Sequence, residues 1–193
     1  MQVTADNESR YRKGFKVLNH FMLGIWRLGL GKYLNAWPEV SGRIMVLNHI
    51  GRKTGKRRQT PVNYAMVNGE IYCTAGFGAS SDWYLNIIAN PQVEVWLPDG
   101  WWAGIADEVI DPKLRLPLMR EVIIASGAAA PAFGIKVQDL DDAALDELTR
   151  DYKLLRIRRT TARTGPGGPG DFAWIWPLTT LFLLLFLIFR RRN

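Results

Sequence analysis

The segment Thr164-Gly165-Pro166-Gly167-Gly168-Pro169-Gly170 limits what this chain can fold into more than any other. Four glycines and two prolines in seven residues supply no side chain that builds a core. Such a run holds neither a helix nor a strand. The chain is therefore expected to divide there. The division predicted is a flexible N-terminus at 1–14, a folded body at 15–160, a Gly/Pro linker at 161–171, an apolar segment at 172–189 and a basic tail at 190–193. A body of that size buries enough surface to fold alone.

Residues 172–189 carry no charge, and twelve of the eighteen are Leu, Ile or Phe. On an insertion scale these favour a bilayer by roughly 4–7 kcal/mol. Trp174 and Trp176 sit at one end, and Arg190, Arg191 and Arg192 sit at the other, where they can snorkel to phosphates. The reading is one C-terminal transmembrane helix, with membrane lipid as a partner. The protein is thus expected at a membrane, held by a single C-terminal anchor. Basic residues before the segment (Lys153, Arg156, Arg158, Arg159, Arg163) lean toward a cytoplasmic catalytic domain. Length opposes this: eighteen residues rise only about 27 Å as a helix, against a hydrocarbon core of about 30 Å. A helix buried in an oligomer interface is the alternative.

The body reads as short strands with helices between them. Residues 15–30 alternate polar and apolar faces at helical spacing. Strands are predicted over 43–47, 60–67, 70–75, 92–97, 101–109 and 153–159. Asn68-Gly69 suits a two-residue hairpin turn in which both residues need positive φ. Helices are predicted over 83–89, 111–126 and 142–152. The fold class is mainly β with flanking helices (α+β), a small antiparallel barrel.

Composition narrows the chemistry. His20 and His49 are the only histidines and Cys73 the only cysteine. That disfavours a zinc site, a His-based triad and an intrachain disulfide. Cys73 lies in an apolar strand pattern and reads as packing. The net charge of +7 favours an anionic partner.

The densest chemistry is Gly51-Arg52-Lys53-Thr54-Gly55-Lys56-Arg57-Arg58, with five basic residues in eight and no acid. It joins two predicted strands. Glycines let the backbone turn closely around an anion, and successive amides form an anion nest. Arg adds bidentate contacts and Lys a point charge. The Gly spacing differs from a P-loop, and a strand follows where a P-loop needs a helix. A solvated basic turn is the plain structural reading. Nucleic acid is disfavoured, because no DNA- or RNA-binding motif accompanies the charge.

Gly51 to Gly55 with Arg58 and Thr60-Pro61-Val62 resembles the signature of the deazaflavin (coenzyme F420)-dependent nitroreductase and quinone reductase family. Asp82-Trp83-Tyr84-Leu85-Asn86, ending in Ala89-Asn90-Pro91, resembles its second block. The resemblance implies a split β-barrel like that of FMN-binding oxidases. It also implies an oxidoreductase passing a hydride from reduced F420 to a quinone, a nitro compound or another small hydrophobic acceptor, here at a membrane surface. By motif match, Arg52, Lys53, Thr54 and Arg58 would hold the coenzyme's anionic tail. Thr60, Pro61, Val62 and Asn63 with Ala75, Gly76 and Phe77 would line the deazaflavin ring. Asp82, Trp83, Tyr84 and Asn86 would close the site. No catalytic side chain or metal is implied, although Tyr64, Tyr84 and Tyr152 are proton donors by type. Relatives often have Ser-x-Gly-Gly where this chain has Gly76-Phe77-Gly78. FMN as cofactor and a non-catalytic, membrane-attached cofactor-binding module are the alternatives. The oligomeric state is left open.

Overall fold

The computed structural model describes residues 5–38, 42–127 and 140–191. Residues 1–4 of the N-terminal segment and 192 and 193 of the basic tail lie outside them. Helix α1 (Ala5–Arg27) starts well before residue 15, and a short α2 (Gly31–Leu34) follows. Strands β1 (Ile44–Ile50), β2 (Arg57–Val67) and β3 (Glu70–Ala75) come next, then α3 (Asp82–Ala89). Strands β4 (Gln92–Leu97) and β5 (Gly100–Glu108) precede helices α4 (Pro112–Ala125) and α5 (Asp142–Leu148). The chain ends with β6 (Lys153–Ala162) and α6 (Ile175–Arg191).

The six strands close into a barrel in the order β1-β2-β3-β6-β5-β4, every neighbouring pair antiparallel, with β4 returning to β1. Closure leaves no open sheet edge. The β2–β3 turn has Asn68 at φ 51° and Gly69 at φ 82°, the two positive values the dipeptide predicts. Met45, Leu47, Tyr64, Ile71, Cys73, Val95, Leu155 and Ile157 belong to one buried cluster of barrel residues. Burial pushes the Cys73 thiol up to about 12, so it packs as a neutral group.

Two outer layers cover the barrel. Met119, Val122 and Ile123 of α4 and Leu145 of α5 pack on Ala65, Tyr72 and Leu154. On another side, Trp26 at the end of α1 packs with Val46, Trp96 and Trp101. This second layer explains why β1 is buried along almost its whole length instead of on alternate residues.

The Gly/Pro segment follows this second layer. A Cβ on Gly168 would lie 2.6 Å from the Trp101 ring. Gly170 N–H donates to the Trp26 carbonyl, Phe172 N–H to that of Arg27, and the Trp176 indole to that of Leu28. Arg27 reaches Asp171 at 3.4 Å and lies over the Phe172 ring.

The expected transmembrane helix is overturned: among the described residues no helix is long and apolar enough to cross a membrane. The reason is local. Residues 172–174 belong to the turn docked on α1, so the helix starts only at Ile175, and its last two residues are Arg190 and Arg191. The uncharged stretch that is actually helical, 175–189, rises only about 22 Å, against about 30 Å of hydrocarbon. The predicted membrane localisation and the predicted lipid partner through this helix lose their basis with it. None of the α6 side chains is buried.

Candidate functional site

The basic turn connects β1 to β2 and is closed by Gly51 N–H donating to the Lys56 carbonyl at 2.9 Å. Thr54 and Gly55 N–H both donate to the Gly51 carbonyl, at 3.1 and 2.8 Å. Gly55 has φ 63°, a conformation that glycine adopts without strain. A Cβ on Gly51 would lie 2.8 Å from Thr54 Oγ1, so Thr54 folds back over the turn instead of projecting from it. All residues from 52 to 58 are exposed.

Charge pairing is uneven over the surface, and Lys32, Arg43 and Lys113 make no ion pair among the described residues. Arg115, Arg120, Arg150, Arg156, Arg158, Arg159 and Arg163 all have carboxylate partners. At the turn, Arg57 pairs with Glu94. The side chains of Lys53, Lys56 and Arg58 make no ion pair or hydrogen bond among the described residues. Three of the turn's five cations thus have no carboxylate within ion-pair distance among the described residues.

Arg52 does something different. Its Nη1 donates to Asp82 Oδ1 and Asn86 Oδ1, both at 3.0 Å, and its backbone N–H donates to Asn86 Oδ1 at 3.0 Å. The turn is therefore seated on the first two turns of α3. Ser81, the residue before α3, is buried, and its Oγ has no hydrogen-bond partner among the described residues.

The structure brings Arg52, Asp82 and Asn86 into direct contact, with Lys53 and Arg58 on the same turn. It separates others. Alternation along β2 puts Arg58, Thr60 and Val62 on the face of Tyr64 and the barrel interior, and Pro61 and Asn63 on the opposite face. The Asn63 amide donates to the Arg43 carbonyl. Ala75 is buried in the core, while Phe77 is 43% exposed at the rim. Trp83 packs against the barrel core. Tyr84 donates to Glu108 at 2.6 Å, and burial together with that bond pushes its hydroxyl up to about 12. Tyr152 has its ring beside Gly76, 3.8 Å from where a Cβ would be, and burial raises its hydroxyl above the ordinary value.

Two polar residues at this site escaped the sequence reading. Ser81 is the residue before α3 but makes no side-chain cap there. His49 was counted against a metal site, yet its parity with Met45 and Leu47 on β1 puts it on the inward face beside the turn. It is 3% exposed, and burial, then the nearby Arg58 charge, lowers its imidazole from 6.5 to about 4.

The family model for F420H(2)-dependent quinone reductases matches residues 28–126, just over half of the 193. The chain belongs to this family. It is an F420-dependent oxidoreductase, and its cofactor is coenzyme F420. The matched stretch contains the basic turn and α3. Solved structures with similar folds include a conserved hypothetical protein from Mycobacterium tuberculosis, at 23% identity over 64% of this chain and 75% of that one, TM-score 0.45. Another is titled an F420-H2 dependent reductase, at 22% identity over 60% and 94%, TM-score 0.45. A heme storage protein from Vibrio cholerae matches at 13% identity over 72% and 96%, TM-score 0.42.

Proposed function

We propose that this F420-dependent oxidoreductase reduces a quinone, with the coenzyme's anionic tail held on the 51–58 turn and its ring toward the 75–77 loop. The observation that carries this reading is the set of three cations with no ion pair among the described residues, Lys53, Lys56 and Arg58, on a turn that Arg52 seats on α3. The donor set fits the group: a phosphate followed by several carboxylates suits several cations on one turn. An uncharged cofactor would leave that repulsion unrelieved. Arg52 keeps Nε and Nη2 for the anion while Nη1 holds α3.

When bound, reduced F420 supplies the hydride. The chain's own work is to bind, orient and exclude water. Thr60 and Val62 on the inward face, with Gly76 and Phe77 at the rim, form the wall for the ring. The proton that completes reduction comes from a group that stays protonated at neutral pH. Of the three tyrosines, Tyr84 is committed to Glu108. Tyr64 is deep in the core cluster. Tyr152 lies beside the 76–78 loop and is the donor favoured here. The catalytic body ends at the Gly/Pro segment, and α6 adds nothing to the site.

The test is anaerobic mixing of the protein, reduced F420 and a short-chain naphthoquinone, following the return of oxidised deazaflavin absorbance. Catalytic turnover supports the reading. Turnover with a nitroaromatic acceptor but none with any quinone would refute the acceptor assignment.

A further inference from the structure

The turn is seated on α3 through Asp82 and Asn86, and Asn86 is in turn held from below. Its Oδ1 accepts from both the Arg52 backbone N–H and Arg52 Nη1, at 3.0 Å each. An oxygen that receives two N–H bonds fixes which way the amide lies, so the Nδ2 group is the one facing His49 Nδ1 at 3.3 Å. Nδ2 is a donor only, so Nδ1 must be the bare, accepting nitrogen. The proton of the neutral ring is then on Nε2, which donates to Thr60 Oγ1 at 3.2 Å. Every member of this chain except Arg52 is at most partly exposed, and both His49 and Asn86 are buried.

We propose that His49 is a positioning residue for coenzyme binding: it locks Asn86 in the one amide orientation that presents Oδ1 to Arg52, and so fixes the basic turn on α3. The inference rests on the reading of that turn as the coenzyme-tail site. Without an acceptor at Nδ1, the buried Asn86 N–H has no partner. Rotation of the amide would then turn N–H groups against the Arg52 amide and guanidinium, donor against cation. The turn would lose its two bonds to Asn86 and keep only the Arg52–Asp82 pair, although neither Asn86 nor Arg52 had changed. The same chain reaches the ring wall, because a Thr60 hydroxyl that accepts from Nε2 keeps its own hydrogen free to donate elsewhere. The low basicity of the buried imidazole is consistent with a ring that stays neutral throughout.

Two substitutions divide the ring's contacts. His49→Asn places an oxygen near Nδ1 and keeps the link to Asn86. His49→Gln reaches the Nε2 position and keeps only the link to Thr60. Dissociation constants for F420, measured by fluorescence quenching, are expected to rise roughly tenfold for His49→Gln, the scale of one buried donor left unpaired. His49→Asn should stay within about threefold of the parent. In an Arg52→Ala background His49→Gln should add little, because the two act along one chain. Equal losses for the two His49 variants, or a full additional loss in the Arg52→Ala background, would overturn the proposal. If Arg52→Ala itself leaves affinity unchanged, the coenzyme reading of the turn fails and takes this inference with it. If Arg52→Ala weakens binding and His49→Gln does not, the relay alone is wrong. A readout that needs no substitution is the His49 tautomer, from long-range 1H–15N spectra of the intact protein, which has only two histidines. A proton on Nε2 is expected, and a proton on Nδ1 overturns the proposal.

Discussion

Burial of His49 should make the protein acid-labile in a defined window. In the unfolded chain the imidazole takes up a proton near pH 6.5; in the folded barrel it does so only near 4, because desolvation and the Arg58 charge oppose the cation. Between these values the unfolded state binds more protons, so stability falls as pH falls. This contribution is fully present above pH 6.5 and is lost as pH drops toward 4. Integrating the two titrations gives a loss of about 2 kcal/mol at pH 5 and about 3 kcal/mol at pH 4, relative to neutral pH. The comparison is with His49→Gln, which has no titrating group at this position. Urea denaturation of both proteins, followed by tryptophan fluorescence at pH 7.5, 6 and 5, gives the difference directly. Other acid-linked groups are common to both and cancel. The parent should start more stable, and its advantage should shrink by about 2 kcal/mol between pH 7.5 and 5. Parallel pH profiles for the two proteins would refute the claim that this ring is held neutral.

Tyr152→Phe should lower kcat for quinone reduction while leaving the F420 dissociation constant within about twofold, since the hydroxyl is assigned to proton donation and not to tail binding; stopped-flow and quenching measurements separate the two. Gly78→Ala should destabilise the protein by at least about 2 kcal/mol in urea, through overpacking and backbone strain. Gly78 has φ 55°, and a Cβ there would lie 2.3 Å from the Asp151 carbonyl oxygen. Deleting residues 177–193 should leave both F420 binding and the thermal midpoint near the full-length values, because α6 buries no side chain; a large fall in either would make that helix part of the catalytic body.

Much of the barrel was legible because its signals are local. Asn68-Gly69 sets the β2–β3 turn with two positive φ values, and the apolar alternation over 70–75 and 92–97 gives the strands around it. The basic turn was legible as a candidate binding element because charge density and glycines need no tertiary context. Its seat was not. Asn86 and His49 are 37 residues apart in sequence, and only closure of the barrel brings α3 over the mouth of β1. Strand parity also decides which residues of a continuous run face inward, so 60–63 splits into Thr60 and Val62 on one face and Pro61 and Asn63 on the other. The tail failed for a tertiary reason. Hydropathy counts residues 172–174 with the helix, whereas hydrogen bonds to the end of α1 turn them out of it.

The central claim is that the 51–58 turn, seated on α3, is where this reductase holds the anionic tail of F420. The most direct measurement is a pair of fluorescence titrations, F420 against FMN, on the parent and on Lys53→Ala and Arg58→Ala. F420 should bind the parent more tightly than FMN, because its longer polyanionic tail engages all three free cations. Each substitution should weaken F420 by roughly 1–3 kcal/mol, the scale of a charge-assisted hydrogen bond, and FMN by less. FMN binding as tightly as F420, or F420 affinity unchanged in both variants, would contradict the account.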